Sequence, residues 1–212
     1  MDKLLNYQIP HFLQMKEVLL NINCVLDASD TGTGKTYVSV ALADNLNLRP
    51  FIICPKSVIS SWIECARIFN IPLLGICNYE LLKGCKYYRV DDSYALEKIN
   101  CPYVDKYVVD KLVQFNFNFP IDSLIIFDEA HRCKNHKTFN FRMLQLMNNI
   151  NTKILLLSAT ISDKIDCFKP FGAIFKLYQK PNHFKPWMRQ RKKAMKLRHD
   201  MYGFDDIERQ IN

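Results

Sequence analysis

The sequence predicts an α/β domain, a parallel sheet flanked by helices, on three observations. Short apolar runs at 22–28 ("INCVLDA"), 51–54 ("FIIC"), 124–127 ("LIIF") and 153–157 ("KILLL") read as buried strands. Segments of helical spacing separate them, and a loop of two glycines, a lysine and threonines, "DTGTGKT" at 30–36, joins the first run to the helix after it. Strands that alternate with helices need crossover connections, so they run parallel with helices packed on the sheet.

Taken in order, 36–46 follows the glycine loop as a helix, and Ser57 caps a further helix running to about 69, with Ser60 and Ser61 as alternative caps. Ile71 to Cys77 is a third apolar run, interrupted by Pro72 and Gly75. Residues 93 to 115 read as helical, divided in two at Asn100-Cys101-Pro102. The run 124–127 is the clearest central strand and ends in two acids, Asp128 and Glu129. A helix over 137–149 and the strand 153–157, bounded by Ser158, complete the alternation. Beyond Pro170, Phe171 to Tyr178 reads as one last strand and 184–198 as a basic helix. This divides the chain into a domain at 1–180 and, at 181–212, a basic helical appendage or the start of an insertion or linker.

At 212 residues the chain is long enough for one good core. No apolar run reaches the roughly 18 residues of a membrane span, and Met1-Asp2-Lys3 does not open a signal peptide, so a soluble intracellular protein without membrane contact is expected. The eight cysteines are scattered and several fall within strands or helices, which reads as reduced packing residues. His131, Cys133 and His136 have a spacing that invites zinc, but no fourth partner is evident. The net charge of +8 is local: Lys185 to Arg198 carries seven lysines and arginines and no acid. Abundant Asn, Lys and Ile hint at an AT-rich genome such as a virus carries.

The glycine loop points to phosphate chemistry. In Asp30-Thr31-Gly32-Thr33-Gly34-Lys35-Thr36 the glycines allow a tight turn with amides aimed inward, and the next helix adds its free N-terminal amides. Lys35 would then reach the β- and γ-phosphates of a nucleoside triphosphate, and the Thr36 hydroxyl would coordinate Mg2+. Such a site needs an acid for its metal. Asp128 provides it at a strand end that converges on the same crevice, and Glu129 is placed to orient the attacking water.

With those residues assembled, the chain resembles the first RecA-like domain of superfamily 2 helicases and translocases, P-loop NTPases of the DEAH-box type. The strings are Asp30 to Thr36, Pro55-Lys56-Ser57 with Trp62, Asp128-Glu129-Ala130-His131, and Ser158-Ala159-Thr160, which stand as motifs I, Ia, II and III. "ICPKSVISSWIEC", "NYELL" and "DEAHRCKN" look most like the Swi2/Snf2 group of duplex-DNA translocases, although Ile161 stands where that group has Pro, and Ser29 replaces the first loop glycine. The resemblance implies that Gln8, in "YQIPHF", reads adenine, and that His131 links the nucleotide site to Ser158 and Thr160. It also implies that Pro55, Lys56, Ser57, Asn78 and Tyr79 contact a nucleic-acid backbone, duplex DNA before RNA. Trp62 reads as core and not as a stacking platform.

In the basic segment, Arg189, Arg191, Lys192, Lys193 and Lys196 are candidate phosphate-backbone contacts, and Pro186 and Trp187 would dock the helix on the domain. The family places ATP between two RecA-like domains, the second supplying arginine fingers. The chain is therefore expected to be the ATP-binding half of a nucleic-acid-dependent ATPase, completed by a second domain in cis or a partner protein. The alternative is a single-domain nucleotide- or nucleic-acid-binding protein that does not translocate.

Overall fold

The structure, a computed structural model, describes residues 3–110, 112–150, 152–160 and 168–192. In chain order its elements are α1 (Ile9–Asn21), β1 (Cys24–Asp27), α2 (Lys35–Asn45), β2 (Arg49–Ile53), α3 (Ile59–Phe69), β3 (Gly75–Cys77) and α4 (Tyr79–Lys83). Two hairpins follow, β4 (Lys86–Val90) with β5 (Leu96–Asn100) and β6 (Val104–Val109) with β7 (Leu112–Phe117). Then come β8 (Ser123–Asp128), α5 (Phe139–Met147), β9 (Lys153–Leu157), α6 (Lys169–Ile174) and a helix over residues 184–192.

The sheet runs β1-β9-β8-β2-β3-β4-β5. Its first five strands are parallel, and β4 and β5 add an antiparallel edge. Strand β8 lies inside, so it is apolar on both faces: Leu124 and Ile126 join α1, α2 and α3 in one core, while Ile125 and Phe127 join α4, α5 and α6 in the other. That double burial is why it reads as a continuous run and not as an alternation. The expected parallel α/β architecture is present, and the strings beginning at Asp30, Pro55, Asn78, Asp128 and Ser158 lie at the carboxyl ends of its parallel strands.

Three local expectations are corrected. Residues 93–115 are not helical; they form β5, β6 and β7, where Arg89 of β4 stands opposite Glu97 of β5 and pairs with it. Phe171 to Tyr178 is not a strand: α6 ends at Ile174 and Tyr178 folds back, its hydroxyl donating to the Lys169 carbonyl at 2.8 Å. Helix α3 is not capped by Ser57; a 3-10 turn over Lys56–Val58 leads into it at Ile59 without a side-chain cap. Helix α1, with Phe12, Met15 and Leu19 on its buried face, carries a signal at helical spacing that the sequence reading left unused.

Of the basic segment, residues 184–192 are helical, and Lys193 and Lys196 lie outside the described residues. The docking expected of Trp187 is present: its ring lies 5.6 Å from Tyr178 and stacks at 6.4 Å on Phe184, which is buried. Arg191 lies over Trp187, and Arg189, Arg191 and Lys192 are exposed. Among the described residues no helix is long and apolar enough to cross a membrane.

Candidate functional site

The glycine loop leaves β1 and enters α2. Gly32 and Gly34 have φ of +80° and +84°, values that L side chains rarely adopt, which is how the chain turns within so few residues. Lys35 folds over the loop, its Nζ donating to the Ser29 and Asp30 carbonyls at 2.7 Å each. Ser29, in place of the first glycine, lies 3.1 Å from the Thr33 hydroxyl, and Thr33 donates to the Asp30 carbonyl at 2.8 Å. A small hydroxyl residue therefore ties this loop where a glycine would only bend.

Gln8 reaches the loop from the N-terminal side. It is buried, its Nε2 donates to the Thr33 carbonyl at 3.1 Å, and its Oε1 accepts from Leu5 N–H at 3.0 Å. Both ends of the amide are thus held by the protein, as a strut beneath the loop. Beside it His11 Nε2 donates to Asp27 Oδ2 at 2.9 Å, and Ser29 N–H donates to Asp27 Oδ1 at 3.0 Å. Burial would push the Asp27 carboxyl up, but the hydrogen bonds from His11 and Ser29 outweigh it and hold it below its ordinary value. Sequence reasoning missed this pair; the signal was an acid ending an otherwise apolar strand.

Thr31, Gly32, Gly34, Lys35 and Thr36 share one open cleft of about 780 Å³ with Asp128 and Glu129. The Asp128 carboxylate is held twice: Oδ1 accepts from Glu129 N–H at 2.9 Å, and Oδ2 accepts from Trp62 Nε1 at 2.9 Å. Its carbonyl accepts from the Tyr79 hydroxyl at 2.8 Å. Burial pushes the Asp128 carboxyl above its ordinary value, against the lowering effect of the Trp62 and Glu129 hydrogen bonds. Trp62 is core, at 1% exposure, as the sequence implied. Its bond to Asp128 was not legible, because nothing local joins residues 66 positions apart.

Glu129 adopts φ +54°, an uncommon conformation for a side chain of its size, and this turns the chain straight into the 3-10 turn of Ala130–Cys133. There His131 Nδ1 lies 3.0 Å from Glu129 Oε2 and 3.2 Å from the buried Ser158 hydroxyl. Ser158 N–H in turn donates to the Asp27 carbonyl at 3.1 Å. Motifs II and III thus meet at His131, whereas Thr160 is exposed.

The residues assigned to nucleic acid divide. Lys56 and Ser57 are exposed in their turn after β2, with Pro55 half-buried before them. Asn78 caps α4, its side chain accepting from Leu81 N–H at 2.8 Å. Tyr79 is buried, at 3% exposure, and its hydroxyl donates to the Asp128 carbonyl. The cleft also takes Tyr37, Ser60, Ser61 and Glu64, the last three from the polar face of α3. The spacing of 60, 61 and 64 on one helix face was the available signal.

Comparison with known proteins sets these features in context. The family model described as "Type III restriction enzyme, res subunit" matches residues 4–163. The chain is 38% identical over 176 residues to a putative ATP-dependent RNA helicase of Acanthamoeba polyphaga mimivirus, covering 80% of this chain and 32% of that protein. In fold it is similar to the Sulfolobus solfataricus SWI2/SNF2 ATPase core solved in complex with double-stranded DNA, with a TM-score of 0.57 and 20% identity over 85% of this chain and 38% of that one. The chain thus spans about a third of the length of these relatives.

Proposed function

Since the chain belongs to the type III restriction enzyme res-subunit family and has the superfamily 2 helicase fold, we propose that it is the ATP-binding half of a nucleic-acid-dependent ATPase that moves on duplex DNA. One observation carries the reading. The phosphate loop, the Asp128-Glu129 pair and the His131–Ser158 contact converge at one edge of the sheet, and the first two share one cleft.

Within that cleft each residue has a distinct task. Lys35 exchanges the loop carbonyls for phosphate oxygens, so the loop opens only for an anion that can replace them. Thr36 and Asp128 would hold Mg2+; a hydroxyl and a carboxylate, with Glu64 and Glu129 on the same cleft, are the hard oxygen donors that ion prefers. When bound, the metal neutralises charge on the β- and γ-phosphates. Glu129 orients the attacking water, and His131 beside it relays the state of the cleft to Ser158. Gln8 acts on the nucleotide through the Thr33 carbonyl as a positioning residue. Pro55, Lys56 and Ser57 face the nucleic-acid backbone, and a second RecA-like lobe completes the cleft.

The test is nucleotide binding and Mg2+-dependent hydrolysis by this chain, alone and with duplex DNA, single-stranded DNA or RNA, beside Lys35→Ala and Glu129→Gln. Binding is expected in the parent chain and in Glu129→Gln and is lost in Lys35→Ala, with turnover near background throughout. Binding that ignores Lys35 would overturn the assignment of the loop. Duplex-stimulated turnover abolished by both substitutions would support the ATPase and refute the need for a second lobe.

A further inference from the structure

Charge in this chain is divided far more deeply than its basic tail implies. Residues 130–199 hold sixteen lysines and arginines against two acids, a balance of +14, while the remainder of the chain carries −6 of the +8 total. The two acids, Asp163 and Asp166, lie outside the described residues. The basic third includes α5 and α6, which pack on the face of the sheet opposite α1, α2 and α3.

On that face, where α5 meets the segment after α6, lies a second cleft of about 750 Å³. Phe141 lines it from the core, at 4% exposure, and Lys169, Lys180, Lys185 and His136 surround it with the neutral Gln145 and Asn182. No carboxylate lines it among the described residues. A shallower pocket continues from it across His136 and Gln145 and adds Lys137 and Arg142. At the other end the exposed Arg189 and Arg191 follow Lys185 on the helix of residues 184–192.

Cations gathered around one cleft raise its positive potential and favour the approach of an anion. The charge also forms a track and not a point: it enters over Arg142 and Lys137, crosses the cleft, and leaves along Arg189. A single phosphorylated side chain would engage one part of it. A membrane surface would want a flat face with exposed apolar side chains, whereas here the aromatic groups are turned inward. A polymer of regularly spaced phosphates fits the whole length.

We propose that the cleft between α5 and residues 180–185 is a second nucleic-acid contact, which grips the phosphodiester backbone independently of Pro55, Lys56 and Ser57. It rests on the nucleic-acid-dependent reading above. Its purpose is retention: contacts on a surface remote from the nucleotide keep the strand engaged while those near the cleft reset.

The experiment is fluorescence anisotropy of a labelled 30-base-pair duplex and its single strands, titrated with the 212-residue chain at several salt concentrations. The variants are K180E/K185E at the rim, K86E/K98E as an equal charge change on exposed lysines at the β4–β5 edge, and K56E after β2, each checked by circular dichroism. The rim variant is expected to bind about tenfold or more weakly, with a salt slope shallower by roughly two, one for each phosphate contact removed. The edge variant is expected to bind like the parent chain. Equal losses in the rim and edge variants would reduce the effect to general electrostatics and overturn the cleft. Loss in K56E with unchanged affinity and slope in K180E/K185E would overturn it while sparing the proposed function. Absence of nucleic-acid binding by the parent chain would overturn both. Rim-dependent binding to phosphatidylserine vesicles, without rim-dependent DNA binding, would replace the nucleic acid with a membrane.

Discussion

An indole N–H governs the acid on which the metal would depend. Trp62 reaches Asp128 from α3, the helix that begins next to the exposed Lys56 and Ser57, so one hydrogen bond joins the edge proposed for nucleic acid to the cleft proposed for nucleotide. A hydrogen bond to a charged group contributes roughly 1.5–3 kcal/mol. Trp62→Phe keeps the ring and removes the donor, so Mg2+-dependent nucleotide binding should need about tenfold more Mg2+ and recover when Mg2+ is saturating. The pH response follows with a definite sign. Burial already raises the Asp128 carboxyl above 3.8, and removing Trp62 takes away a partner that lowers it. Protons then compete with the metal at higher pH in Trp62→Phe than in the parent chain, and the acid limb of binding should move upward. A fluorescent-nucleotide titration against Mg2+ at several pH values reads both effects. Equal Mg2+ requirement in the two proteins would show that the indole merely fills space.

Elements differ in how far their own residues decide them. The loop at 30–36 and strands β1, β2, β8 and β9 were legible, since a doubly buried strand must be apolar throughout and a phosphate loop must turn on glycine. The superfamily 2 assignment made from those strings agrees with the family match over residues 4–163. Residues 96–100, "LEKIN", were misread because Glu and Lys favour a helix locally, and their pairing with β4 only appears once the chain has folded. The bonds from Trp62 and Tyr79 to Asp128 were unreadable for the same reason. The 3-10 turn of Asn6–Gln8 is likewise understood through its contact with the loop. A Cβ on Gly34 would stand 2.0 Å from Gln8 Nε2, at a φ of +84° that itself disfavours a side chain. Gly34→Ala should therefore expel Gln8 and lose nucleotide binding. Gln8→Ala alone removes only a strut and should weaken binding modestly. Combining them relieves the clash but leaves roughly 1–2 kcal/mol of left-handed backbone strain, so binding should return in part. A calorimetric double-mutant cycle measures this; additive losses would refute a shared contact.

For the molecule as a whole, the balance of charge around the cleft decides what the chain can do alone. Lys35 is the single cation among the described residues lining it, facing Glu64, Asp128 and Glu129, and no arginine lines it. Arg67 is paired with Glu64, and Arg132 lies over the ring of Tyr79. A magnesium ion at Thr36 and Asp128 would offset this excess of acid for binding, so affinity is within reach of these residues. Charge that develops on the transferring phosphoryl group is another matter. It requires donors aimed at the γ-phosphate, and an arginine supplied from across the cleft accelerates related reactions by about 10³ to 10⁵. The open side of this cleft is where such a donor would enter, and the relatives are more than twice as long as this chain. Adding the remaining portion of the mimivirus relative as a separate polypeptide should therefore raise turnover by several hundredfold or more while changing nucleotide affinity much less. The gain should vanish when the arginines of that portion are replaced by alanine, and it should persist in K180E/K185E at saturating duplex, because that pair is proposed to touch the strand and does not line the cleft of Lys35. Single-turnover hydrolysis separates rate from affinity here. A rise that survives loss of every such arginine would mean that the added portion only orders Glu129 and His131, and that the chain already holds all the catalytic charge it needs.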